Sequence, residues 1–426
     1  MRRITICLML AVLATSVSAE TPAPPERERP SPAEQAIANA HRLAEKSPSN
    51  FEAYNALALA LSRRARETSD PRFYSQGEDA LKSSFEISPG NFDGEKIHVW
   101  LLLGKHEFSA ARKAALALNK RTPDDVMVYG FLTDANVELG KYKDAETAAQ
   151  MMLDLRPGNL PGITRGAYLR ELFGDVDGAL ELMSMALAST PPAEVEDAAW
   201  ITTQMAHLNF SVGRVDIAEQ QLQQALRLFP GYHYALGNLA KVRIQQKRSN
   251  EAVALLQQRY DGAPHAENLY DLGEALELAG RKADAEATFQ KFEQKSLAET
   301  GISDNSNHEL ILYYADHANQ PDKALEVARR EHGRRHDVFT QDCYAWALHR
   351  NGQDQEARQQ IDLALAVGIR NARIFRHAGE ISLALNETAA ARDFLVQAIA
   401  LTGQDSEQAQ ATLALISASA KGPVTR

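Results

Sequence analysis

The sequence predicts an all-α solenoid of about ten helix pairs, and three observations carry that prediction. Prolines recur at a fixed interval: Pro89, Pro123, Pro157 and Pro191 lie 34 residues apart, as do Pro230 and Pro264. A small residue stands twelve positions before each of them and continues where the prolines stop. From Ala33 onward almost every segment has helical periodicity, and strand-like alternation is absent. A fixed period of this size marks a repeat architecture, in which each unit packs on its neighbours and the core grows in one dimension.

The N-terminus reads as a secretory signal peptide over residues 1–19. Arg2-Arg3 precedes an apolar run from Ile4 to about Val17, and Val17-Ser18-Ala19 offers a small-residue cleavage site. The run is short for a spanning helix, which needs ~20 residues; the alternative is a retained anchor. Cleavage would take the net charge from −10 to −12. It would also remove Cys7, leaving Cys343 in an apolar helical run as a buried, inert thiol without an intramolecular partner. Residues 20–32 hold Pro22, Pro24, Pro25, Pro30 and Pro32 among charges and read as an extended linker.

The array then runs from 33 to 405. A capping helix occupies 33–47, and the units fall near 50–91, 92–125, 126–159, 160–193, 199–232, 233–265, 266–299, 305–337, 338–371 and 372–405, followed by a C-terminal capping helix at 406–420. The small residues that set this register are Ala36, Gly77, Ala111, Ala145, Ala179, Ala218, Ala252, Ala285, Ala324, Ala357 and Ala391. Their successive spacings are 41, 34, 34, 34, 39, 34, 33, 39, 33 and 34. A small residue recurs because the two helices of a unit cross closely there. Its partner twelve positions earlier is also small in most units, as in Ala167 with Ala179 and Gly273 with Ala285. Gly140, Gly174, Gly213, Gly280 and Gly352 sit where the first helix must end in a left-handed residue. The prolines end the second helix, since they cannot continue its hydrogen-bond ladder.

Small residues twelve apart, Gly at the inter-helix turn, an aromatic two residues later (Gly140-Lys141-Tyr142) and a closing proline together resemble the tetratricopeptide repeat. Leu269, Leu272-Gly273, Ala285 and Phe289 form one of the nearest matches to that pattern. The resemblance spans about 33–405 and implies a right-handed superhelical α-solenoid that serves as an interaction scaffold. Three departures stand out. The long spacings place insertions near Ser62–Phe73, Pro192–Ala198 and Glu299–Asn305, expected in loops. The unit beginning at Asn91 shows a compressed first helix around Ile97–Leu103.

Motifs for chemistry are absent. No phosphate-cradling, dinucleotide or nucleophile-elbow glycine pattern occurs, nor His-Glu-x-x-His. His332 and His336 are four apart, but Gly333 and two arginines intervene; Asp304 to His308 lacks the glycine and distal glutamate of a calcium loop. No cofactor, metal or catalytic residue is expected. Charges of both signs interleave along the chain, the pattern of a solvated surface and not of a nucleic-acid binder.

The resemblance implies that the first helix of each unit lines a concave groove. Carried over residue by residue, the inward face would present Tyr168, Trp200, His207, Phe210, Tyr234, Lys241, Tyr270, Glu274, Tyr313, Asp316, Trp346 and His349. Aromatic residues supply much of the energy at protein interfaces; the competing reading packs them between neighbouring units. A clamp for a peptide's terminal carboxylate is not expected. Gly130, Asp134, Thr164 and Tyr168 stand where Lys and Asn would be needed, and Asn238 with Lys241 supplies one unit only. The reading is therefore a non-catalytic scaffold binding a protein or peptide partner in a bacterial cell envelope, periplasmic or secreted, without stable membrane insertion after cleavage. The alternative is a carbohydrate- or peptidoglycan-binding accessory protein for polysaccharide export or wall remodelling.

Overall fold

The computed structural model describes residues 30–68, 70–301, 305–401 and 403–419. The expected signal peptide and most of the expected linker lie outside the described residues. A lone helix α1 (Pro32–Lys46) leads the array; Pro32, expected in the linker, is instead its first residue. Ser31 caps α1, accepting from the Glu34 amide while the Glu34 carboxylate accepts from the Ser31 amide.

Ten helix pairs follow. They are α2 (Phe51–Thr68) with α3 (Arg72–Ile87), α4 (Phe92–Gly104) with α5 (Phe108–Arg121), and α6 (Val126–Glu138) with α7 (Tyr142–Leu155). Next come α8 (Leu160–Leu172) with α9 (Val176–Ser189), α10 (Val195–Ser211) with α11 (Val215–Leu228), and α12 (His233–Gln245) with α13 (Ser249–Gly262). The array ends with α14 (Ala266–Leu278) and α15 (Lys282–Glu299), α16 (Asn307–Leu312) and α17 (Pro321–His332), α18 (Val338–Arg350) and α19 (Asp354–Leu365), and α20 (Ala372–Ala384) and α21 (Thr388–Ile399). A final helix, α22 (Gln404–Ser419), packs on α20 and α21. Each helix packs on its partner and on the next pair, and first helices also touch first helices, as α2 does α4 and α4 does α6. The fold is an α-solenoid whose first helices form one continuous wall.

The periodic alanines are its packing points. Ala111, Ala145, Ala179, Ala218, Ala252, Ala324, Ala357 and Ala391 are all fully buried. A Cβ placed on Gly273 would lie 2.5 Å from the Phe289 ring, so the helices of that pair cross too closely for a larger residue. Ala36 departs from the pattern: it is half-buried, because α1 has no first-helix partner to cross. Each periodic proline falls two residues beyond the end of its helix, and a cap for the next helix often follows. Asn91, Asp125 and Asn159 each accept amide bonds in the first turn of α4, α6 and α8, contributing about 1 kcal/mol apiece.

The turns within the pairs explain the unit that looked compressed. α4 has 13 residues, the same length as α6 and α8. Its left-handed turn residue is His106 (φ 59°) in place of glycine, and Lys247, Asn319 and Asn386 do the same in later pairs. Three insertions also differ from expectation. They are absorbed mainly as extra helix: α2 and α15 reach 18 residues and α10 reaches 17.

The lengthened helices meet. Arg63 near the end of α2 pairs with Glu194 at 2.5 Å, and Arg66 bonds Glu196 and Asp197 at the start of α10. His233 Nε2 lies 3.1 Å from the Arg66 carbonyl oxygen. A second such contact joins the α6–α7 turn to the α17–α18 turn. The His336 amide donates to the Glu138 carbonyl at 2.9 Å, the Val338 amide donates to the Tyr142 hydroxyl at 2.9 Å, and Arg335 pairs with Glu138 at 2.6 Å. A third brings Gly174 against Gly368, where an added Cβ would lie 2.6 Å from the Gly368 carbonyl oxygen. The array thus winds back on itself, touching units four or five pairs away.

Candidate ligand-binding wall

The wall is built by the first helices, and its exposed and buried parts separate along the chain. From α8 to α12 it stays open. Tyr168 on α8 keeps 37% of its surface exposed, yet surrounding protein pushes its phenol well above its ordinary pKa. One helix on, His207 Nε2 lies 2.8 Å from Glu171 Oε1, which orients the imidazole. Phe210 is half-buried against the neighbouring core, and Lys241 on α12 is exposed.

Two residues expected beside them are packing residues. Trp200 packs against both clusters that meet at α10, one around Ala179 and Met183 and the other around Ala218 and Leu222. Tyr234 is half-buried, its ring 3.9 Å from His233 and 5.5 Å from Tyr232.

From α14 to α20 the aromatic residues close over one another. Tyr270 is 6% exposed and Trp346 is 2% exposed, so neither presents a contact surface; this corrects the expectation for both. The Tyr270 hydroxyl donates to Glu274 at 3.1 Å, and its ring lies within 6.0 Å of Phe289, Phe292 and His317. Tyr313 is half-buried in the same cluster. Trp346 stacks on His377 with centroids 4.0 Å apart and planes 8° apart, and Arg376 lies over its ring at 5.0 Å. Its indole N–H donates to Asp316 at 2.9 Å. His349 is held by Asp354 at 2.6 Å and sits 5.0 Å from Trp346. Burial raises the Glu274 carboxyl above its usual range.

Asp316 reaches Trp346 because α16 continues as a π turn over Tyr313–His317, in which the Ala318 amide donates to the Tyr313 carbonyl at 2.9 Å. Sequence periodicity carried no signal of that turn. It also missed the buried polar group behind the wall. His377 Nδ1 bonds Asp342 at 2.7 Å, Arg373 bonds the other Asp342 oxygen at 3.0 Å, and the His377 and Asp342 side chains are fully enclosed. The one available clue was spacing: Asp342 and His377 are 35 residues apart, one residue more than the repeat period. Enclosed on all sides by protein, this acid–histidine pair serves packing and offers no reactive face.

His332 and His336 do not share a helix face, since α17 ends at His332. Their rings are 4.5 Å apart, and no metal-holding group occurs among the described residues. No described helix is long and apolar enough to cross a membrane.

Comparison with known proteins agrees with this architecture. The family model for the tetratricopeptide repeat matches residues 98–159 and 203–267. A solved structure of monomeric mutant IFIT1 with Gppp-AAAA is similar over 86% of each chain, at 14% identity and TM-score 0.51. The Cut9 complex with Hcn1 is similar over 82% of this chain at 14% identity and TM-score 0.46, and this chain spans only 58% of that chain's own length. A tetratricopeptide repeat protein from Parabacteroides merdae is similar over 61% of this chain and 98% of its own, at 17% identity and TM-score 0.37. No curated protein matches the sequence. With its period, crossing alanines and left-handed turns in place, the chain is built as a tetratricopeptide-repeat solenoid and matches the family's model over those two segments, a fold that generally serves as a non-catalytic scaffold for protein interactions.

Proposed function

We propose that the chain is an exported scaffold whose wall from α8 to α12 binds a protein or peptide segment in the bacterial cell envelope. The observation that carries this reading is the open stretch with Tyr168, His207 and Lys241 on three successive first helices. It combines an amphipathic ring of the kind enriched at interface hot spots with an oriented imidazole and an exposed cation. The glycan alternative is weaker, because sugars stack on exposed aromatic faces and the Trp346 ring is 2% exposed and stacked on His377.

In-cell photocrosslinking tests the reading. A photoreactive residue at Tyr168 or Lys241 is expected to capture a defined protein, and one at Trp346 none. Capture from 346 alone, or glycan adducts from 168, would overturn it. Export is supported by the Arg-Arg start, the apolar run and the Val17-Ser18-Ala19 site. Envelope fractionation should yield a chain beginning at Glu20; an unprocessed cytosolic chain contradicts the location.

A further inference from the structure

One surface departs from the interleaved charge of the rest of the chain. α5 carries Arg112, Lys113, Lys120 and Arg121 and no carboxylate, in a protein of net charge −10. Its outer face borders two adjoining cavities of about 510 and 430 Å³ that share Ser109 and Arg112. The first runs along α5 past Lys113, Leu116, Ala117 and Lys120. The second is completed by Leu139, Lys141 and His336, where the α6–α7 turn meets the α17–α18 turn. The second cavity therefore forms where the array winds back on itself, its wall held by the His336–Glu138 backbone bond at 2.9 Å, while the first is lined by α5 alone.

Two features describe what would fit. Arg112 is already engaged, with Asn136 at 2.6 Å and Asp144 at 3.3 Å. Lys113, Lys120 and Lys141 are exposed and form no ion pair among the described residues, so three cations are uncompensated. Between them lies apolar surface, including Leu116 at 38% exposure. From Ser109 to Lys120 α5 rises about 16 Å, the length of about five extended residues. No phenyl, phenol or indole ring lines the cavities, where His336 is the one ring.

We propose that this cleft docks an extended acidic segment, carrying apolar side chains among its carboxylates, from a partner protein. It is a second surface, separate from the wall of first helices.

The test uses the full chain and a fluorescein-labelled peptide of alternating Asp and Leu, read by anisotropy. Binding is expected to weaken steeply with salt. Combined K113E, K120E and K141E should weaken it at least ~10-fold, while K82E, K282E and K291E together leave it unchanged. Leu116→Ser should weaken it, and Tyr168→Ala should not. Circular dichroism establishes that each variant is folded. Equal binding of the Asn-for-Asp peptide, or indifference to the lysine reversals, overturns the proposal. So does equal competition by oligoadenylate or tripolyphosphate with Leu116→Ser silent, which would mark a general polyanion surface. Loss of binding in Tyr168→Ala alone would place the peptide on the wall, sinking this proposal while leaving the scaffold reading intact.

Discussion

The two polar contacts that fold the array back on itself are built on opposite principles. At the α2–α10 contact, the Arg63–Glu194 pair is about one-third exposed on both sides, 31% and 35%. At the contact between the α6–α7 and α17–α18 turns, Asp337 is 3% exposed and answers four donors. Its carboxylate accepts from the Phe339 and Thr340 amides, from the Thr340 hydroxyl at 2.6 Å and from Arg335 at 2.8 Å. Burial opposes ionisation there, but Arg335 and the hydrogen bonds outweigh it and hold Asp337 at about 2. The Arg63–Glu194 pair is an ionic clasp that water can screen, although Glu196 beside it is 2% exposed; at the other contact Asp337 caps α18 and holds Arg335, whose guanidinium makes the cross-array bond to Glu138. Equal numbers of drawn bonds thus carry unequal energy, because desolvation sets the cost of losing a partner.

Substitutions that break each contact should rank accordingly. Asp337→Ala leaves Arg335 buried beside one carboxylate fewer and removes the α18 cap. It should cost about 3–5 kcal/mol, measured by urea unfolding. A packing control that touches neither contact, Ala179→Phe, should cost about 1–3 kcal/mol by overpacking one pair; an unchanged melt would mean the register is wrong. Arg63→Ala should cost less than ~1 kcal/mol, and the difference should shrink further at high salt.

Acid should act on the clasp through His233. This side chain is 4% exposed, and burial lowers it to about 4, with Arg259 and His265 adding to the effect. The unfolded imidazole takes its proton near pH 6.5. The neutral form therefore supports the fold fully above pH 6.5, and that support is lost as pH falls toward 4. His233→Gln should flatten the decline in Tm between pH 7.5 and 5; an identical slope in both proteins would remove His233 from the account.

Much of the fold was legible because a repeat writes its local rules ten times. The crossing alanines and turn glycines report contacts between residues a dozen positions apart. What escaped depended on contacts far longer in sequence. The destinations of the inserted segments, Arg66 with Glu196 and the Tyr142 hydroxyl with Val338, follow from small rotations summed over several pairs. The left-handed turns at His106, Lys247, Asn319 and Asn386 were hidden because a non-glycine residue occupies them. Wall residues were only half-legible for a related reason. Tyr168 stands eleven residues before its crossing alanine and Tyr270 fifteen before its own, one helical turn apart in the register, and 37% of one but 6% of the other is exposed. The difference lies in the Phe289–Phe292–His317 cluster that covers the second.

The claim on which the wall and the cleft both depend is that the array is coiled back and stapled where Arg335, held by Asp337, reaches Glu138. Small-angle scattering of the wild type, Arg63→Ala and Asp337→Ala, at matched helicity by circular dichroism, tests it. The wild type should scatter as the compact coil, Arg63→Ala should match it at low salt, and Asp337→Ala should show a larger radius of gyration. A wild type that is already extended, or an Asp337→Ala variant with unchanged dimensions, would contradict it.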